Sequence, residues 1–275
     1  MDIRLVAVDM DGTFLRQKPI YDEQGDLIDV IMDYDKEQFE IVFNRLKANN
    51  GHFVVASGNQ YYQLKSFFPN LDNEVTYVAE NGAFIVEKGK ELFSVEIDKS
   101  VINKMLDAVN QFDNIKICVC GKASAYVLKG DEKYRDFMNK FYHNLQEVND
   151  FNEINDQILK FALTVPNENM NIILKSLKQA FVGILDVVDS GHNCIDLIVP
   201  NNNKGTAIER LCKRWGLTAE QCVAFGDGGN DYEMIKFVKY GYAMENAKDS
   251  IKEVAYSICE TNNEQGVLKT LMKIL

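Results

Sequence analysis

Two patterns of apolar and polar positions follow one another along this chain. Four short runs, Leu5-Val6-Ala7-Val8, Phe53-Val54-Val55-Ala56, Val75-Thr76-Tyr77-Val78 and Cys222-Val223-Ala224-Phe225, lack the every-second-residue polarity of a half-exposed strand. They predict strands buried on both faces, the habit of a parallel sheet covered by helices. Stripes at helical spacing lie between them. Phe39, Val42, Phe43 and Leu46 predict a helix over 36–49, which Asn50-Gly51 ends. Residues 60–68 predict another, stopped by Pro69. Ile208, Leu211, Cys212 and Trp215 predict a third, closed by Gly216. The polar stretch 16–35, with Pro19 and Gly25, has no helical period and reads as a loop or a small hairpin.

From Ala83 the pattern changes. Two strand-like segments flank Lys88-Gly89-Lys90 and predict a hairpin. Helices are then predicted near 100–111, 132–142 and 169–180, with strands near 116–120, 124–127, 158–164, 186–189 and 194–199. Hairpins mixed with helices predict a separate α+β lobe, residues 85–189, inserted between the halves 1–84 and 190–275 of an α/β domain. The β-loop-α-β-α-β order of the first half implies a parallel sheet with right-handed crossovers.

The chain of 275 residues, 46% apolar, is long enough for two unequal domains with real cores. Its net charge of −11 argues against nucleic-acid or membrane-surface binding. The same charge repels an anionic substrate, so a phosphate site would need local cations and backbone N–H groups. The six cysteines form no CxxC pair and read as reduced core residues of a cytoplasmic protein. No apolar run is long enough for a signal peptide or a membrane span. His52, His143 and His192 stand apart and form no metal cluster.

The chemistry concentrates after the buried strands. Asp9 and Asp11, two residues apart, point the same way if the strand continues, while Met10 points the other way. Gly12 permits a sharp turn and Thr13 adds a hydroxyl. Paired carboxylates repel unless a cation or proton intervenes, and a hard divalent ion such as Mg²⁺ resolves this. Ser57 and the N–H of Gly58, Lys204, and the run Asp227-Gly228-Gly229-Asn230-Asp231 occupy equivalent places at strand ends or helix starts. In open α/β sheets these places converge on one ligand site. Each taken singly has a plain reading: Ser57 as a helix cap, Lys204 as a solvated charge, Asp227 as a turn residue.

The segments DMDGT, ASG, NKGTA and GDGGNDYEM resemble the four motifs of the haloacid dehalogenase-like phosphatases. ENGA and MENA resemble the Cof-type subfamily, and VASGNQYYQL, YVAENGA and DLIVPNNNK its sugar phosphatases. The resemblance implies a Rossmann-like core with a mobile α+β cap. It implies Asp9 as nucleophile and Asp11 as general acid/base, with Met10, Ser57, Gly58, Lys204 and Asn230 holding phosphate. Mg²⁺ would be bound by Asp9, Asp11 (by carbonyl or side chain) and Asp227, with Thr13 and Asp231 in support. Two features depart from the family pattern: Asn59 stands where most relatives have Arg, and the 19–35 segment is long.

The expected activity is hydrolysis of a small phosphorylated metabolite, a sugar phosphate, through an aspartyl-phosphate. Cap contacts are expected near 121–126 and 191–193, and no obligate protein partner is expected. The alternatives are a phosphatase of a flavin or pyridoxal phosphate, a sugar phosphomutase, or a phospho-accepting receiver. A receiver needs neither a second acid two residues on nor a hundred-residue cap.

Overall fold

The computed structural model describes residues 1–22, 24, 27–191 and 193–275, with 27–29 described by backbone alone. Gly25, expected in a loop, and His192, expected near the substrate, lie outside the described residues. The core is an eight-stranded sheet. Its order is Ser257–Cys259, Tyr240–Met244, Cys222–Gly226, Leu5–Val8, His52–Ala56, Val75–Ala79, Phe84–Glu87, Lys90–Ser94. The first six are parallel, so all their carboxyl ends lie along one edge. Leu5–Val8 sits in the middle with no solvent exposure, as its unbroken apolar run requires.

The last two strands run antiparallel and come from the predicted hairpin at Lys88-Gly89-Lys90. The hairpin therefore extends the core sheet rather than opening the inserted lobe. A second, six-stranded sheet is ordered Leu145–Val148, Ala125–Leu128, Lys116–Gly121, Ile158–Thr164, Cys194–Ile198, Asp186–Gly191. Cys194–Ile198 pairs inside this second sheet, although the expected boundary at 189/190 gives it to the core. Boundaries slip here because apolar strands of either sheet look alike until their partners are known. Leu145–Val148, too polar and short to stand out, pairs parallel with Ala125–Leu128.

Within the 16–35 stretch, Arg16–Tyr21 pairs antiparallel with Leu27–Asp33. The helix after it starts at Lys36, where Asp35 accepts a hydrogen bond from the N–H of Gln38. Phe14, on the loop after the first strand, packs among Tyr34, Phe39, Phe53 and Phe68 at ring-centroid distances of 4.9–5.9 Å. A buried aromatic contributes roughly 1.5–3 kcal/mol by burial. That packing pins the loop that carries Asp9 and Asp11.

Candidate active site

Four loops at the carboxyl edge of the core sheet meet, and the first, Met10–Phe14, is a non-helical turn closed by the N–H groups of Phe14 and Leu15 donating to the carbonyls of Asp9 and Met10. Gly12 adopts φ 76°, and a Cβ there would stand 2.5 Å from Oδ2 of Asp227. Only glycine satisfies both the left-handed backbone and the close approach. Thr13 Oγ1 donates to Asp227 Oδ1 at 2.9 Å, joining the first loop to the fourth. Met10 has its side chain buried in the core, so only its backbone faces the site.

Lys204 lies at the centre, fully buried. Its Nζ donates to Oδ1 of Asp9 at 2.6 Å and to Oδ1 of Asp231 at 2.7 Å. The aim of this lysine is set locally. Asn203 and Thr206 exchange side-chain and backbone hydrogen bonds, a capping box that makes Lys204 the first residue of its helix. Asp231 Oδ2 accepts from the N–H groups of Asp227 and Gly228, both at 2.9 Å. Asp231 is thus engaged at both oxygens and braces the lysine and the Asp227 turn together.

Oxygens of Asp9, Asp227 and Asp231 lie within 4.8 Å of one another. Against these three carboxylates stands one ammonium. Burial, then the charge of Asp231, push the Asp9 carboxyl well above the usual range, against the pull of Lys204. Burial works against a charged Lys204, but Asp231 and Asp9 outweigh it and hold the lysine protonated. An excess of buried carboxylate with oxygen donors only is the donor set of a hard divalent cation. The expectation placed Asp11 at this group by its carbonyl or its side chain. The third carboxylate close to Asp9 and Asp227 is Asp231, and Asp11 Oδ2 accepts from Asn59 Nδ2 at 2.5 Å.

The second loop carries Ser57, buried, whose Oγ accepts from the N–H of Asn59 at 3.1 Å. Its neighbour Gly58 packs on Asn81, and a Cβ at Gly58 would lie 3.1 Å from Asn81 Oδ1. Asn230 Nδ2, from the fourth loop, donates to that same oxygen at 2.9 Å. All four sequence clusters therefore converge, linked through Asn59 to Asp11 and through Asn81 to Asn230.

The profile of the haloacid dehalogenase-like hydrolases matches residues 6–271. The chain belongs to this family. It is 38% identical over 276 residues to 5-amino-6-(5-phospho-D-ribitylamino)uracil phosphatase YbjI of Escherichia coli (strain K12), covering 100% of this chain and 97% of that one. A Bacillus subtilis (strain 168) phosphatase of the same designation, YitU, is 25% identical over 276 residues, covering 97% of this chain and 96% of that one. Among solved structures, SMU.1108c of Streptococcus mutans UA159 superposes with a TM-score of 0.88 at 33% identity, covering 99% of this chain and 98% of that one. Among the described residues no helix is long and apolar enough to cross a membrane.

Within this hydrolase fold, sequence reasoning passed over a second buried cluster. Lys160, on the cap strand Ile158–Thr164, donates to the carbonyl of Gly58 at 2.5 Å and to Asp196 Oδ2 at 3.1 Å. Its ammonium is also 3.3 Å from Glu80 Oε2. Asp196 Oδ2 further accepts from Asn81 Nδ2 at 2.5 Å and Ser190 Oγ at 2.7 Å. One signal was present: Lys160 is a lone charge inside the apolar run Ile158-Leu159-Lys160-Phe161-Ala162, where a lysine is rarely buried unless paired. The residues expected to contact substrate near 121–126 are gathered by Asp156, whose Oδ2 accepts from the N–H groups of Ala123 and Ser124 and from the Tyr126 hydroxyl.

Burial pushes the Glu80 carboxyl up from 4.5 to about 7, against the attraction of Lys160. The folded protein then holds a proton that the unfolded chain releases above pH 4.5. Stability attached to this group is complete below pH 4.5 and is lost as pH rises through about 7. The loss is about 3 kcal/mol. Glu80→Gln should flatten that part of the profile, so urea unfolding between pH 4.5 and 8 should show the variant gaining on the wild type as pH rises. Parallel profiles would place the proton elsewhere.

Proposed function

We propose that this protein is a Mg²⁺-dependent phosphomonoesterase that forms an aspartyl-phosphate on Asp9. The observation that carries this reading is the arrangement of Asp9, Lys204, Asp231 and Asp227 at the carboxyl edge of the sheet. Lys204 engages one oxygen of Asp9 and so orients the other for in-line attack on phosphorus. The phosphorus–oxygen ester bond breaks as Asp11 gives a proton to the leaving oxygen. Asp11 then takes a proton from water, which attacks the aspartyl-phosphate and releases inorganic phosphate. Asn59, donating to Asp11, holds that carboxyl in place for both steps. Ser57, Gly58, Asn230 and the backbone at Met10 surround the phosphoryl oxygens. Asp9, Asp227 and the carbonyl of Asp11 would hold Mg²⁺, with Thr13 and Asp231 bracing Asp227. When bound, the ion supplies positive charge to the phosphoryl oxygens, a large share of catalysis in such transfers.

For the substrate, the reading is a phosphorylated polyol on a heterocyclic base, 5-amino-6-(5-phospho-D-ribitylamino)uracil being the first candidate. The end-to-end likeness to the phosphatase of that compound supports it over a free sugar phosphate. The second lobe, folded over the site through Lys160 and a reciprocal hydrogen-bond pair between Gln60 and Asn144, serves as the cap that sees the leaving group. The test is a panel of this compound, hexose phosphates, flavin and pyridoxal phosphates, with Mg²⁺ and with excess chelator. Turnover should vanish on chelation. kcat/KM for the ribityl phosphate should exceed that for hexose phosphates roughly ten- to a hundredfold, the range that a few cap contacts supply. Full turnover in chelator overturns the metal assignment, and a preferred hexose phosphate overturns the substrate.

A further inference from the structure

The loop Glu80–Gly82 touches the second, third and fourth clusters of the site without carrying any group assigned to the chemistry. Its N–H groups donate to carbonyls of the second loop, Glu80 to Asn59 at 3.1 Å and Asn81 to Ser57 at 3.0 Å. A Cβ at Gly82 would lie 2.6 Å from the carbonyl oxygen of Asn203, next to Lys204. The loop is also strained. Glu80 and Asn81 hold φ of 51° and 58°, two consecutive left-handed residues that are not glycine. Such strain persists only where the surroundings over-determine it, and it concentrates at working sites.

What over-determines it comes from both lobes. The Asn81 carboxamide is held on one side by the core, accepting from Asn230. On the other it donates to the cap carboxylate Asp196, which in turn holds Lys160. Lys160 reaches back across the interface to the Gly58 carbonyl, in the same second loop. A bulge between Ile158 and Lys160 breaks the strand's register at this point, and bulges commonly re-aim a side chain. Glu80, Asn81, Lys160 and Asp196 are buried, and the hydrogen bonds joining Asn81, Asp196, Lys160 and the Gly58 carbonyl measure 2.5–3.1 Å. In a low-dielectric interior such a chain of polar contacts is strengthened when every member is satisfied and costly when one is lost.

We propose that Asn81, Asp196 and Lys160 are positioning residues that orient Asn230 for phosphate only when cap and core are joined. Closure of the cap is thereby coupled to phosphate binding, not only to leaving-group recognition. The inference rests on the reading that Asn230 binds phosphate. With the cap away, Asn81 loses its Asp196 acceptor, and its carboxamide is no longer fixed to receive Asn230. The open enzyme then binds phosphate more weakly.

The experiment measures inhibition by inorganic phosphate, and kcat/KM for a small aryl phosphate that makes little use of the cap. It uses the full chain with Mg²⁺. The variants are Asn230→Ala, Asn81→Gly and Asp196→Ala, with each of the last two also combined with the first. Glycine at 81 keeps the left-handed backbone and removes only the carboxamide, and alanine at 196 removes the acceptor of Asn81. Asn81→Gly and Asp196→Ala should each weaken phosphate inhibition about tenfold, although neither residue touches phosphate. Combined with Asn230→Ala they should add almost nothing, because all act through one group. Where Asp196→Ala fails to fold, Lys160→Met/Asp196→Leu replaces the buried pair with apolar groups, a change such pairs often tolerate, and gives the same readout. Unchanged phosphate inhibition in the Asn81 and Asp196 variants, or losses that multiply with Asn230→Ala, overturns the coupling alone. Unchanged inhibition in Asn230→Ala itself overturns the phosphate reading and the coupling with it.

Discussion

Asp9→Asn should abolish turnover, with kcat falling on the order of 10⁴-fold or more, the scale of losing a covalent nucleophile. It should also abolish any phosphate trapped on the protein by acid quench during turnover. Asn has the size of Asp and keeps an oxygen for Lys204, so the 2.6 Å contact has no reason to be lost. Removing one of three crowded carboxylates relieves repulsion, and the metal-free variant should unfold at or above the wild-type temperature. The rate loss is then chemical and not a folding defect. Asp11→Asn should behave differently. It should still become phosphorylated by a donor with a good leaving group, and accumulate the phosphoryl-enzyme because its hydrolysis lacks a base. Phosphate trapped by Asp9→Asn as by the wild type would reverse the assignment of the two aspartates.

The second large effect is expected at Lys204, where rate and stability should fall together. Lys204→Met leaves Asp9 and Asp231 buried without their shared cation, 2.6 and 2.7 Å from where it stood. Breaking a buried pair by removing one partner costs about 3–5 kcal/mol. Lys204→Arg should not restore the wild type, because a planar fork does not fill the place of a compact ammonium between two fixed oxygens. Thermal unfolding and kcat on the same preparations test this. A Met variant of wild-type stability would mean that the two aspartates are not held charged against the lysine. Saturating Mg²⁺ should return part of the lost stability, since a cation among the remaining carboxylates offsets the same charge. It should return little of the rate, because the orientation of Asp9 comes from Lys204.

The core sheet and the gathering of its polar residues were legible in the sequence for a local reason. A strand buried on both faces must be apolar throughout, and the turn that follows must be polar and glycine-containing, so Leu5–Val8 and Cys222–Gly226 announce themselves with their aspartates attached. Equivalent positions at the ends of parallel strands then converge by topology alone, which is why Asp9, Ser57, Lys204 and Asp227 could be named together. The capping box at Asn203 and Thr206 likewise lies within four residues of chain.

What joins the two lobes was decided only by the tertiary structure. Asp231 joins Asp9 and Asp227 because the fourth loop folds back on its own N–H groups, those of Asp227 and Gly228, while Thr13 holds Asp227. The hairpin at Lys88-Gly89-Lys90 could have extended either sheet, since its alternation is the same whichever edge it meets. Asn59, which stands where most relatives have Arg, donates to Asp11. Lys160, Asp196 and Asn81 come from three distant segments. A buried ion pair leaves no periodic trace: each partner is one polar residue in an apolar setting, and its cost of burial is offset only by a group that folding brings beside it.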